Sequence, residues 1–458
     1  MNQNRADNTE SQDIQQSVPS ILSKRKLLPG DKVLWTIVVM LFAISLVAVY
    51  TASSKRGFAY GTIDSELKKH FITLCGSAVV LFICYILGAK LLRKCALFAF
   101  SSSWLATLLP YFVSSAKNDA HRWLDLGFVE FQPSELLKIG TVMLLAAQLS
   151  AIHHRIGSVR LLPTTFDVRK WKTPKELNII KNDIIPIVLP IALSCVVILP
   201  AHSSSAIHIF FVSIVLLFIA GIRFKEIMKL TAVALVCGLL VLFVAGRWGV
   251  FIQRSTARLN MSKMIEASLP PLVTNLDELT EEQRTKFEEK IVATRVKTIS
   301  GRDDLKDPYF SRLAIQNGGV FGVGAGRSMM RAKLTNPDCD YLFAIVVEEF
   351  GLLLSFMIAL IYLWLFFRSL RIFEKCEWLF GGLLAVGLAF LITSQGFLHI
   401  SVTLGILPET GQNLPFITHG RSSMVAAAIA IGLILSISRQ VEQGTLLPPS
   451  QRGGNKHI

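Results

Sequence analysis

The chain is divided into a succession of strongly apolar runs, each near the twenty residues that cover the hydrocarbon core of a bilayer. We read about ten of them, at 33–53, 70–89, 94–114, 134–152, 184–200, 203–222, 227–246, 341–367, 379–403 and 420–438. At that depth a backbone must satisfy its own hydrogen bonds, and runs of this length do so as helices. The predicted fold class is an all-α polytopic membrane protein. Composition agrees: 52% of the 458 residues are hydrophobic and 17% charged, with mean hydropathy +0.51. A soluble protein this apolar would expose large sticky patches.

Net charge is +15, and the position of the basic residues carries the information. Lys24–Arg25–Lys26 precede the first run, Lys90, Arg93 and Lys94 follow the second, and the loop 153–183 is rich in arginine and lysine. Arg223 and Lys225 follow the sixth run, and Arg368, Arg371 and Lys375 the eighth. All five clusters share one side only if both termini are cytoplasmic. The loop with Lys55, Arg56, Lys68 and Lys69 dissents mildly. No basic tract is interleaved with aromatics, which argues against a nucleic-acid partner.

This threading divides the chain into a cytoplasmic arm at 1–32, expected to be disordered, a membrane domain at 33–440 and a cytoplasmic tail at 441–458. One large extracytoplasmic loop, 247–340, is far longer than an ordinary connection, and its charged stretch Asp277–Ile291 reads as a surface helix. No cleavable signal peptide is expected, since residues 1–30 are polar and the first apolar run is too long for one. Seven cysteines show neither CxxC nor zinc spacing, and Cys339 reads as a free thiol without a role.

Chemistry concentrates in GGVFGVGAGRSMMRAKLTNPDCDYLFAIVVEEFG, residues 318–351. Asp340 is placed there in the first turn of the eighth span. A carboxylate at a helix start and a membrane–water border stays ionised and can act as a general base, or it can simply cap the helix or pair with Arg327 or Arg331. Asp338 competes for the role. The glycines lack the strand–helix setting of a dinucleotide fingerprint. They still allow a backbone nest for anions beside Arg327, Arg331 and Lys333, or a turn that needs glycine only for packing.

Glu348 and Glu349 lie two to three turns further into the span, where carboxylates need partners. They read as a structural charge network, with Lys138 of FQPSELLK as a candidate partner and Glu135 on its face. Arg122 and Trp123 form an interfacial pair, either an anchor or a grip on a pyrophosphate and its lipid. The segment LPETGQNLPFITHGRSS, 407–423, is too rich in proline and glycine for regular helix and should line protein or water. His419 within it reads as a structural hydrogen-bonding group. No HExxH, GxSxG or P-loop occurs, which withdraws support from proteases, hydrolases and ATP-driven pumps.

Four of these segments in order resemble the SEDS family (shape, elongation, division and sporulation), to which FtsW, RodA and SpoVE belong. They are RWL…G…FQPSE..K, the GG.FG.G.G.S loop, D(Y)LFA…EEFG and LP.TG..LPFI..G.SS, and the resemblance covers about residues 30–440. It implies a ten-span, inverting peptidoglycan glycosyltransferase that polymerises lipid II. Asp340 falls on the family's essential aspartate and would deprotonate the acceptor 4-hydroxyl. Arg122, Trp123, Gln132, Ser134, Glu135, Lys138, Ser422 and Ser423 fall on its substrate segments. Arg254, Arg258, Arg327 and Arg331 are outer-face candidates for charge around the departing pyrophosphate.

The chain departs from the family pattern at several points. Arg421 and Arg327 replace a glycine and an asparagine, and His419 stands where tyrosine is common. No histidine precedes Asp340, the QPDLGTA-like corner after the fifth span is PAHSSSA without its acid, and a stretch near 264–300 is extra. No cofactor is implied with certainty. A divalent cation such as Mg or Mn could help the pyrophosphate leave, but one clear acid is too few to define a metal site.

Implied partners are lipid II, undecaprenyl-pyrophosphate-linked glycan, a class B penicillin-binding transpeptidase and other division proteins. The implied location is the bacterial cytoplasmic (inner) membrane, with the site on the extracytoplasmic face. The long N-terminal arm leans towards a division role. Two other classes remain open: a lipid II flippase using Glu348, Glu349 and Lys138, and a non-catalytic scaffold for a transpeptidase.

Overall fold

A computed structural model of the chain describes residues 29–60, 63–113, 123–125, 130–163, 173–244, 303–407, 410–418 and 420–444. Arg122, Arg254, Arg258, His419, the stretch near 264–300 with Asp277–Ile291, and most of both terminal arms lie outside the described residues. The described helices are α1 Lys32–Tyr60, α2 Ile63–Ile86, α3 Ala89–Leu108, α4 Pro133–Ala151, α5 Ile185–Ile198 and α6 Ser203–Ile219. They continue with α7 Phe224–Val244, α8 Asp303–Gly318, α9 Leu342–Lys375, α10 Leu379–Thr403 and α11 Arg421–Glu442. Every apolar run of the sequence is one of these helices, and the Pro200–Ala201–His202 corner is the turn between α5 and α6.

Among the described residues, seven helices are long and apolar enough to cross a membrane, and α6 is apolar but only 17 residues long. The chain is a polytopic helical membrane protein. Helices α10 and α11 form the centre, with 78% and 72% of their apolar windows buried, against 28–39% for the other five. Helices α2, α3, α7 and α9 turn side chains such as Phe82, Phe98, Val236 and Phe356 outward, as a lipid-facing surface requires. Without a hydrophobic drive between helices in lipid, close backbone approach holds them. Gly432 of α11 shows this: a Cβ there would lie 2.6 Å from the Leu81 carbonyl of α2.

One end of the bundle is tied by charge and hydrogen bonds. Asp31 pairs with Arg368 at the end of α9 and takes its amide to Ser438 of α11, 2.8 Å away. The Ala89 amide reaches Gln440 at 3.0 Å, and the Arg439 guanidinium lies 4.9 Å over the Tyr85 ring. The basic segment after α4 is held at this end by two buried acids. Asp183, on a π-turn ahead of α5, pairs with Arg155 at 2.7 Å and accepts the Arg160 amide. Glu226 accepts the Leu161 amide and pairs with Lys229 at 2.9 Å.

The other end carries the elements of interest. Two residues on each side, Leu124–Asp125 (β1) and Glu130–Phe131 (β2), pair antiparallel and deliver the chain to α4. Helix α8 was not anticipated. Its Phe310 packs with Leu334, Tyr341 and Ile345, so it buttresses the start of α9.

Candidate active site

Asp340 sits on a turn, two residues before the first helical residue, Leu342. The expected first-turn position is displaced because the Asn336 carbonyl gathers the amides of Cys339, Asp340 and Tyr341 at 3.2–3.4 Å, and this turn delays the helix. The carboxylate is half-buried and accepts from Asn336 Nδ2 at 3.3 Å. Thr335 anchors the turn to α8 through its amide and hydroxyl, both 3.0 Å from Asp307 Oδ1. Asp338 is buried two residues away.

The glycine loop that leads to this turn is stitched into a break in α9. At Gly351 the helix leaves helical geometry, with φ 80° and ψ 169°. The break frees carbonyls and amides that no helical partner can take. The loop supplies the partners: Val323 and Gly324 donate to the Glu348 and Glu349 carbonyls at 2.9 Å, and Leu352 donates to Gly319 at 3.0 Å. Backbones meet so closely that a Cβ on Gly351 would lie 2.2 Å from the Val320 carbonyl, and one on Gly322 2.3 Å from that of Glu349.

The carboxylates of the same turn occupy the loop's interior. Glu348 accepts from Ser328 Oγ, from the Met329 amide at 3.2 Å and from Asn317 Nδ2 at 3.3 Å. Glu349 accepts the Gly326 amide at 3.0 Å and pairs with Arg331 at 3.6 Å. Arg331 also donates to the Thr51 carbonyl of α1. The loop is thus an anion nest filled by its own chain, and Arg331 is committed within it. Arg327 is exposed at its tip. Glu348 and Glu349 bind this loop and Arg331, not the Lys138 considered as their partner.

Lys138 is instead met at 2.9 Å by Glu135, one turn back on α4, and at 2.9 Å by Gln395 of α10. Lys138 is 1% exposed and Glu135 7%, so each charge is tolerable only because of the other. The Gln395 amide continues to the Asn413 carbonyl at 3.2 Å. The Gln132 amide donates to Ser422 Oγ at 2.9 Å, tying the start of α4 to that of α11. Gln132, Ser134, Glu135, Lys138, Ser422 and Ser423 therefore gather where α4, α10 and α11 meet, and a narrow crevice opens on Glu135, Lys138, Gln395 and Ser423. Trp123, half-buried, leads into β1 at the same end.

Truncating one partner here leaves a bare buried charge. Lys138→Ala is expected to cost about 3–5 kcal/mol, and the double change Glu135→Gln with Lys138→Met clearly less. Thermal unfolding in detergent of both variants checks this; equal losses would mean the pair is not an energetic unit.

Sequence reading missed a second polar cluster. His202 and Ser205 of the α5–α6 corner contact Gln412 of the loop before α11, and the Gln412 carbonyl accepts from His399 Nδ1 at 2.7 Å. One signal was available: Gln395, His399 and Thr403 recur at four-residue spacing on α10, a buried polar stripe on one helix face.

A sequence model of the FtsW/RodA/SpoVE family of cell cycle proteins matches residues 31–264 and 309–443. The chain belongs to this family. Among FtsW/RodA/SpoVE relatives, the probable peptidoglycan glycosyltransferase FtsW of Haemophilus influenzae is 25% identical over 427 residues, covering 90% of each chain. That of Coxiella burnetii is 27% identical, over 92% of this chain and 100% of its own. Stage V sporulation protein E of Bacillus subtilis is 26% identical, over 91% and 99%.

The crystal structure of RodA, the rod shape determining protein of Thermus thermophilus, superposes with TM-score 0.55 at 19% identity, covering 92% of this chain and 99% of that one. A chain from work on structural coordination of polymerization and crosslinking by a peptidoglycan synthase complex gives TM-score 0.56 at 20% identity, covering 90% and 98%. These two likenesses carry the family fold. The family match leaves out 265–308, which contains most of the extra stretch near 264–300 noted in the sequence.

Proposed function

We propose that this FtsW/RodA/SpoVE protein is a peptidoglycan glycosyltransferase that polymerises lipid II, with Asp340 as its base. The observation that carries the reading is the placement of Asp340. Its carboxylate is half-buried on a turn held by Asn336 and Asp307, at the bundle end opposite the basic clusters. A carboxylate so fixed can remove a proton from a sugar hydroxyl held against it. The hydroxyl oxygen then attacks the anomeric carbon of the growing chain, the lipid pyrophosphate leaves, and the anomeric centre inverts. Arg122, Arg254, Arg258 and the exposed Arg327 are the proposed source of positive charge for the leaving group. A divalent cation carried in on the pyrophosphate would help it leave.

The basic clusters at the other end support a cytoplasmic-membrane orientation with both termini inside and Asp340 outside. The family's description as cell cycle proteins supports the proposed division role, and a transpeptidase partner is proposed because a matched structure concerns polymerization together with crosslinking. One observation favours a second reading. The buried Glu135–Lys138–Gln395 group deep between α4 and α10 is what a lipid II flippase would use. Vesicles containing the protein and labelled lipid II separate the two: polymer formation supports the glycosyltransferase, while translocation without polymer supports the flippase and overturns the first reading.

A further inference from the structure

Asn336 acts twice in the turn that carries Asp340. Its backbone carbonyl gathers the amides of Cys339, Asp340 and Tyr341, and its side-chain Nδ2 lies 3.3 Å from Asp340 Oδ2. An ionised carboxylate only accepts hydrogen bonds, so the nitrogen of the Asn336 amide, and not its oxygen, belongs against it. A donor on the carboxylate favours the ionised form, which is the form a general base needs. A carboxylate carries about four acceptor sites over its two oxygens, so one donor fixes its plane without exhausting it.

Asn336 is exposed, and an exposed hydrogen bond orients a side chain only if the donor is itself held. The chain on both sides holds it. Thr335, just before, gives its amide and its hydroxyl to Asp307 Oδ1 of α8, both at 3.0 Å. Helix α8 is anchored in turn: Phe310 packs with Leu334, Tyr341 and Ile345, and the Ser311 hydroxyl donates to the Thr403 carbonyl of α10 at 2.9 Å. Pro337, just after, is buried; its ring fixes its own φ and restricts the backbone of Asn336. The stem of the Asn336 side chain is therefore preset, and its amide meets Asp340 with little left to order.

We propose that Asn336 is a positioning residue of the transfer reaction, its side-chain amide orienting the Asp340 carboxylate for removal of the acceptor proton. The proposal rests on Asp340 being the base and adds the group that aims it. The backbone carbonyl builds the turn whatever side chain stands at 336, so the two roles of Asn336 can be separated by substitution.

The test is lipid II polymerisation by Asn336→Ala and Asn336→Asp, each alone and combined with Asp340→Asn. Asn336→Ala should lower kcat about tenfold and leave KM in place, as expected for a misaimed base. Asn336→Asp keeps the size of the side chain but offers acceptors in place of the donor, and should lower kcat at least as far. In the Asp340→Asn background Asn336→Ala should cost no more than about twofold, because the group it aims is no longer a base. A purely structural role would instead multiply the two losses and lower thermal stability. If Asn336→Ala does not fold, Asn336→Asp carries the same comparison. Equal loss with and without the Asp340 carboxylate, an effect in KM alone, or wild-type kcat in both single variants overturns the positioning role while Asp340 stays the base. Full activity in Asp340→Asn overturns the base assignment and this proposal with it.

Discussion

Asp340→Asn is expected to lower kcat for lipid II polymerisation by about 10²–10⁴-fold, the usual contribution of a positioned general base. The effect should appear in kcat and leave KM largely in place, because the amide keeps the shape and the hydrogen bond to Asn336 while losing the basic oxygen. The variant should insert and unfold like wild type, since asparagine keeps the side chain's shape and the turn is held by the Asn336 carbonyl and Asp307. Asp338→Asn is the informative comparison. It should keep most of the rate, although its side chain is the more buried. A variant pair with the two effects exchanged would move the base to Asp338.

Gly322→Ala is expected to cost about 3 kcal/mol or more of stability. Two costs combine. The residue holds φ 81°, a left-handed conformation costly for any residue with a Cβ. The new methyl would also stand 2.3 Å from the Glu349 carbonyl, a backbone atom in a turn that cannot rotate away. Relief requires pulling the loop off α9, which breaks the Val323 and Gly324 hydrogen bonds and strips Glu348 and Glu349 of their amides. Gly319→Ala is the control. Its φ of 52° is also left-handed, but a Cβ there meets nothing within 4 Å, so the cost should stay near 1 kcal/mol. Thermal unfolding of the two variants in one detergent gives the comparison. Similar losses would mean the close approach at Gly322 is not held in solution.

The bundle was legible because a bilayer sets element length so firmly that each apolar run had one solution. Helix α8 was missed because it is half polar and its apolar residues are few, although it packs on the start of α9 and bonds the end of α10 through Ser311. Its signal, Tyr309, Phe310, Leu313 and Ala314 followed by a glycine pair, is weak beside the membrane spans. The sequence places Asp340 near the start of α9, but its turn was not readable, because the Asn336 carbonyl that collects three amides leaves no mark in composition. The glycine loop left two readings open, an anion nest and a turn that needs glycine for packing; the structure has both, and the nest's occupant was not readable. Local pattern allows a nest, whereas the carboxylates that fill it come from the turn around Gly351, about twenty residues on. Lys138 shows the same division. Its partner Glu135 lay three residues away on the same helix face, while Gln395 belongs to another helix and only packing brings it near.

The central claim is that this chain polymerises lipid II, and purified protein with labelled lipid II tests it most directly. The assay runs wild type and Asp340→Ala, each alone and with a class B transpeptidase partner. The expected result is polymer from wild type in at least one of the two conditions and none from Asp340→Ala in either. Lipid II left unpolymerised by the wild type even with its partner, or polymer made equally well by Asp340→Ala, would contradict it.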